Sequence, residues 1–406
     1  MALRAGLLTV GLVLFGALGA PSPASADAAW PVPGDASITI DGLGFGHGRG
    51  LSQYGALARG RAGQDYREIV DFYYPGATWA AAGGTVRVLV SGDTTSDVVV
   101  DPRTGLTVRA VAGGRPVVLP AKVSGHRVTR WRIEPAAGGR SSVDALTRSW
   151  ARWRLLAGDA EFAARGRPVT LRTPSGAVAY RGALRSATPA GGTGRDTVDV
   201  VGLDGYLRGV LPREVVASTW PPATLQAQAV AARTYAAYER AHVPAGRHYD
   251  LCDTASCQVY GGASAEYPST DAAVAATAGQ VLTSGGAPAF TQFAASNGGW
   301  SVAGPAGQPY LVAQPDPYDH YDPDGVDGDG WRTTLTSAAI ERAFGIDDLT
   351  GLGIETRDGN GQWGGRAVTV RLTSAKGWTG TVSGDTFRSR LGLRSTYVTI
   401  SAVEAR

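Results

Sequence analysis

In the stretch YLRGVLPREVVASTWPPATLQAQAVAARTYA, residues 206–236, Glu214 is the one carboxylate. It stands among Val210, Leu211, Val215 and Val216, a setting expected to desolvate the carboxyl. Desolvation favours the protonated form at neutral pH and equips such a group as a general acid. A structural alternative pairs Glu214 with Arg213 or Arg233. Glycoside hydrolysis ordinarily takes two carboxyl groups, one to protonate the leaving oxygen and one to attack or to activate water. A lone acid therefore raises the question of what else completes the reaction.

A second reactive candidate is His47, which lies in GLGFGHGRG with glycines at 42, 44, 46, 48 and 50. Glycine at every second position removes side-chain bulk, so something approaches the backbone closely there. A histidine in such a run is easily reached by a ligand, although isolated histidines more often pack or hydrogen-bond structurally. There is no G-x-S-x-G nucleophile elbow, and His126, His242 and His320 lie in no recognisable catalytic setting, which disfavours protease or esterase chemistry.

The elements that must position these groups follow from patterning. Leu51, Tyr54, Leu57 and Ala58 recur at helical spacing, and residues 66–74 form a second short helical segment before Pro75-Gly76. From Thr85 to about Val201 short apolar or alternating runs are separated by Gly, Pro and Asp, the pattern of an antiparallel β region. Residues 203–210 read as a short helix and Pro212-Arg213-Glu214 as a bend. A long helix is expected from Pro221 to about Ala241, with proline at its start and alanine throughout. Arg233 falls near the buried face of that helix and must find a carboxylate or carbonyl partner.

The chain has 406 residues, 43% hydrophobic and 18% charged, with 57 glycines and 23 prolines, as expected for a folded, loop-rich protein. With 38 basic and 35 acidic side chains the formal charge is +3, and no basic run carries interleaved aromatics, so nucleic acid is excluded as a partner. Residues 1–26 read as a secretory signal: Arg4, an apolar run from Ala5 to Ala20, then Ala24-Ser25-Ala26. That run is short of the roughly 20 residues of a spanning helix, so no stable membrane span is expected after cleavage. The mature protein is expected outside the membrane, secreted and wall-associated.

The segment 206–236 closely resembles the SpoIID/LytB family, which reads YL-x-GV-x-x-E followed by an AQAVAARTYA helix. YDLCDTASCQVYGG, AVAATAGQVL, FAASNGGWS, PYLVAQPDPYD and FRSRLGLRST fall in the family's order, and GHGRGLSQYGA with YREIVDFYYPGA is a further signature. The resemblance implies an α+β fold, a mainly antiparallel β-sheet scaffold with a few packed helices. It implies segments 27–84 (GHG/SQYGA), 85–195 (β-rich) and 196–406 (catalytic core). In the family the GHG segment follows FR-x-x-LGLRST, whereas here it precedes it. A shared fold would then be circularly permuted, which requires the strand near Ile38 to lie beside the strand 397–400.

By the same resemblance, the family's glutamate falls on Glu214 and the activity is that of a peptidoglycan lytic transglycosylase. In that reaction the muramoyl C6 hydroxyl attacks its own anomeric carbon, so one residue serves as acid and then as base. The alternative is a non-catalytic wall-binding protein that stimulates a partner amidase. Peptidoglycan glycan is the expected partner in both cases. Cleft-lining, substrate-binding candidates are His47, Gln53, Arg233, Gln258, Tyr260, Ser296, Asn297, Gly298 and Gly299, whose amides, hydroxyls and backbone suit sugar hydroxyls and acetamido groups. Some family members bind zinc through two cysteines and two histidines in the region of His248, Cys252 and Cys257. Here Ser256 stands where a histidine would be expected, and an oxidising compartment favours a Cys252–Cys257 disulfide with no cofactor. Asp316 to Gly330 is rich in aspartate without the terminal glutamate of an EF-hand loop, and a solvated acidic loop is expected.

Overall fold

The computed structural model describes residues 29–192, 194–321 and 330–406. The expected signal at 1–26 and aspartates 322–329 lie outside them. The architecture is α+β with mostly antiparallel sheets, as the sequence predicts. Among the described residues no helix is long and apolar enough to cross a membrane.

Chain contacts divide the protein into two units, 41–333 and 29–40 with 334–406. In the larger unit, a seven-stranded sheet runs Leu251–Cys252, Thr85–Leu89, Asp196–Gly202, Ala183–Ala187, Ala160–Ala163, Thr107–Ala110 and Val117–Val118. A six-stranded sheet is centred on Arg130–Ala136 and Val98–Val100. Alternation places Val86, Val88, Val98, Val100, Ile133 and Val143 inward, and both sheets share one core. That core also takes in Tyr206, Leu207, Val210 and Ala232 from the helices that follow, so packing runs without a break across residue 195.

Among its described residues this unit also holds the α-helices α1 (Gln53–Arg61), α2 (Tyr66–Tyr73), α3 (Leu203–Glu214), α4 (Pro222–Ala241) and α5 (Pro268–Ala276). Ser52 caps α1, accepting from the Gly55 N–H, and Asp65 with Glu68 forms a capping box on α2. Ala227, Val230 and Ala231 of α4 pack against Ala56 of α1 and Ile69, Val70 and Tyr73 of α2. The alanines of α4 thus serve close helix approach, not propensity alone.

The glycine run meets the chain's own backbone. Phe45 and Ser296 exchange backbone hydrogen bonds of 2.9 and 3.0 Å, and Leu51–Ser52 pairs in parallel with Phe293–Ala294. Gly50 shows the constraint: its φ is +64°, and a Cβ there would lie 2.0 Å from the Gln292 carbonyl oxygen. The close approach inferred from the sequence is therefore made at least partly by segment 292–298.

In the smaller unit, the strands Trp30–Pro31, Leu349–Arg357, Ala367–Ser374 and Thr379–Ser383 form one sheet, with helices α6 (Ser337–Phe344) and α7 (Gly384–Leu391). Phe344 stacks on Phe387 with centroids 6.0 Å apart. Ala36–Gly42 lies beside Val398–Ala405 in a three-stranded sheet, and the Arg406 N–H donates to the Asp35 carbonyl at 3.0 Å. The strand adjacency that a permuted order requires is present.

Candidate active site

Glu214 is the last residue of α3. The sequence predicts a bend at Pro212, but the helix continues through it. In the last turn a proline forfeits one backbone donor while its fixed φ remains helical. The C-terminal end of a helix carries partial negative charge, a position that disfavours a carboxylate.

The Val259 N–H donates to Glu214 Oε1 at 3.3 Å, and the Gln53 side chain supplies a further hydrogen bond. Burial raises the Glu214 pKa above the ordinary glutamate value, and these two donors pull it back without cancelling the rise. Among the described residues no cation pairs with it, so the structural alternatives with Arg213 and Arg233 are not realised.

The carboxyl opens on a cleft of about 530 Å³ together with His47, Gln53, Phe45, Tyr235 and Phe293. No other aspartate or glutamate lines the cleft among the described residues. The Arg49 N–H donates to His47 Nδ1 at 3.0 Å, so the neutral ring carries its proton on Nε2. Glu214, Gln53 and His47 are therefore three sequence-predicted residues that the fold brings together.

Gln258 and Tyr260 prove to be supports and not linings. Both are buried. Gln258 accepts from the Tyr206 hydroxyl at 3.1 Å and donates to the Ala232 carbonyl at 3.3 Å, tying the 252–261 loop to α3 and α4. The Tyr260 hydroxyl donates to Asp199 at 2.7 Å, a carboxyl that burial pushes up to about 7. Tyr260 also lies so close to α3 that a Cβ on Gly209 would come within 2.5 Å of its ring, which accounts for the glycine in YLRGV. Between these two anchors sits Val259, whose N–H meets the acid. Cys252 and Cys257 close the loop as a disulfide.

The zinc alternative would need both sulfurs as free thiolates. The two sulfurs are joined to each other, and His248 Nε2 lies 2.7 Å from Asp196. Among the described residues no three His, Cys, Asp or Glu side chains gather as a metal site.

Arg233 is also corrected from substrate contact to buried support. It is fully inaccessible, paired with Asp204 at 2.7 Å and donating to the carbonyls of Val274 and Gln280. The carboxylate and carbonyl partners demanded by the sequence are there, but they do not include Glu214.

Ser296 and Asn297 are likewise buried, so no glycan reaches their side chains. Asp319 accepts from Ser52 Oγ at 2.7 Å, from Ser296 Oγ at 2.8 Å and from the backbone N–H groups of Asn297 and Gly298. Asp316 accepts from Arg59, Tyr73 and Asn297 at 3.0, 2.6 and 2.9 Å. Gly298 and Gly299 form the left-handed turn beside them. Asp316 and Asp319 are thus not part of a solvated loop: they are buried clamps that lock α1 and α2 onto the turn at 296–299. Burial and the neighbouring Asp316 push Asp319 up to about 6.

Several lining groups escape sequence reasoning. The Val259 donor is a backbone amide and leaves no side-chain signal. Tyr235 lies within the helix pattern of α4. Phe45 carried the clearest hint, as a large aromatic between glycines, and it is 43% exposed.

A family model described as SpoIID, Stage II sporulation protein, matches residues 192–284. An amidase enhancer of Bacillus subtilis (strain 168) is 62% identical over 40 residues, 10% of this chain and 6% of that protein. Stage II sporulation protein D of the same strain is 48% identical over 52 residues, covering 13% and 15%. An uncharacterized protein of Brachyspira hyodysenteriae (strain ATCC 49526 / WA1) is 36% identical over 102 residues, covering 25% and 27%. The chain therefore spans about a quarter or less of the length of each of these curated relatives. No solved structure matches it. The matched segment, residues 192–284, contains α3, α4, Glu214 and the disulfide loop, and it is this segment that is similar to the SpoIID family.

Proposed function

We propose that the protein is an exported lytic transglycosylase acting on peptidoglycan glycan strands, with Glu214 as both general acid and general base. The observation that carries this reading is a carboxyl with a raised pKa and no cation partner, facing a cleft in which no second described acid is available to activate water. Protonated Glu214 gives its proton to the oxygen linking MurNAc to GlcNAc as the C1–O bond breaks. The resulting carboxylate then accepts the proton of the MurNAc C6 hydroxyl while that oxygen bonds to C1. The ring closes as 1,6-anhydro-MurNAc, the proton count balances, and no water is consumed. A carboxyl that starts protonated and finishes protonated suits a site where burial opposes the anion. Phe45, Phe293 and Tyr235 supply apolar faces for sugar rings, and His47 lines the same cleft.

Mass spectrometry of products from purified glycan strands tests the proposal, with wild type beside Glu214→Gln. Anhydro ends with wild type and none with the variant are expected; reducing ends, or equal product from both, would overturn it. A second reading rests on the relative named amidase enhancer. In that reading the cleft binds glycan without cutting it and a partner amidase is stimulated. Glycan binding with no product of its own, together with faster amidase release of peptides that persists in Glu214→Gln, would select it.

A further inference from the structure

The β-rich part of the larger unit carries a second cleft, of about 560 Å³, that the proposed reaction does not use. Arg103, Lys122 and Arg127 line it, over an apolar floor that includes Val118, Leu119 and Trp131. No acidic residue lines it, and none of the three cations has a carboxylate partner among the described residues. Arg103 gives one guanidinium nitrogen to the Pro168 carbonyl, while its Nε is buried with no acceptor. Lys122 and Arg127 face each other directly across the hairpin formed by Lys122–Val123 and His126–Arg127. Ser124 and Gly125 turn that hairpin with φ of 50° and 81°, the two-residue left-handed turn that holds its strands in tight register. Like charges placed opposite each other across strands are destabilising. Here the fold holds such a pair in place with no carboxylate to offset it, at the rim of a cleft whose Val118 is 57% exposed.

We infer that this cleft binds the carboxylate-bearing stem peptides of peptidoglycan, the cations taking the carboxylates and the floor taking alanyl methyl groups. The choice of ligand rests on the cell-wall reading above. The apolar floor favours such a peptide over a phosphodiester polyol, which would satisfy the cations but leave Val118 and Leu119 uncovered.

The test measures binding of a fluorescent tetrapeptide of L-Ala, D-Glu, a diamino acid and D-Ala to the full chain. Wild type should bind saturably and more weakly as salt rises. Lys122→Gln/Arg127→Gln should lose at least tenfold in affinity with an unchanged or higher Tm, since both side chains are exposed and their repulsion is relieved. Glu214→Gln should bind as wild type does. Absent binding, equal affinity in the double variant, or preference for poly(glycerol phosphate) over the peptide would overturn the inference. Peptide binding without anhydro products would sink the catalytic reading and leave this one standing. Anhydro products from peptide-free strands without peptide binding would do the reverse.

Discussion

Two acidic sites in the larger unit face opposite demands. Asp319 is saturated with donors and Asp316 is held by an arginine, a tyrosine and an amide, all buried. Glu214 opens on a cleft with two neutral donors and no cation. Burial raises the pKa of both Asp319 and Glu214, so a displaced pKa alone does not separate a clamp from a candidate catalyst. Solvent access and spare bonding capacity do. A carboxyl whose oxygens are all engaged fixes structure, whereas one held from one side can exchange a proton with a ligand.

The sharpest way to break this contrast is Glu214→Gln. If Glu214 is the acid, activity on glycan strands should fall by about 10³-fold or more, with urea unfolding nearly unchanged because no ion pair is lost. If stability fell as well, Glu214 would belong with the clamps.

The converse substitution, Asp319→Ala, should cost roughly 3 kcal/mol of unfolding free energy, because buried donors from Ser52, Ser296, Asn297 and Gly298 lose their acceptor. Its pH dependence has a definite sign. The folded pKa of about 6 lies above the unfolded value of 3.8, so Asp319 takes up a proton on folding. Its favourable contribution is complete below 3.8 and is lost as pH rises through about 6. Asp319→Asn, which keeps the shape but cannot ionise, should flatten that part of the stability curve. Urea titrations at pH 4.5 and 7.5 measure both effects, and an unaltered slope in the asparagine variant would count against the assignment.

The same contrast shows what the sequence could reveal. Glu214 is legible because its apolar neighbours are adjacent in the chain, and α4 because proline and alanine act locally. The clamps are not. Asp316 and Asp319 look like the start of a solvated acidic run, and their burial depends on Ser52, Arg59 and Tyr73, more than 240 residues away. Arg233, Gln258, Tyr260, Ser296 and Asn297 were recognisable as consequential polar residues. Whether each faced ligand or core depended on helix packing and loop closure, which residue type does not encode. The antiparallel β region was legible from its turns and alternation, while its merging with α3 and α4 into one core was not.

Between clamp and acid lies the 252–261 loop, whose job is to hold the Val259 amide against Glu214. Replacing both Cys252 and Cys257 with serine should lower stability by about 2 kcal/mol on the chain-entropy account of so short a loop. Activity should fall less than in Glu214→Gln, since Gln258 and Tyr260 still anchor the loop. A loss of activity as complete as that of Glu214→Gln would make the loop part of the machinery instead of its support.

The smallest effect expected is also the most specific to the acid. The Gln53 hydrogen bond favours the charged form of Glu214, opposing the burial that raises its pKa. Gln53→Leu removes that donor, so the pKa should rise further. A general acid works while protonated, and the alkaline limb of the pH–rate profile should therefore move to higher pH, with little change in Tm. Asp319 variants should leave the position of that limb where it is, because their carboxyl does not touch the cleft. A limb that stayed fixed or moved downward in Gln53→Leu would show that Glu214 is not the group whose deprotonation ends activity.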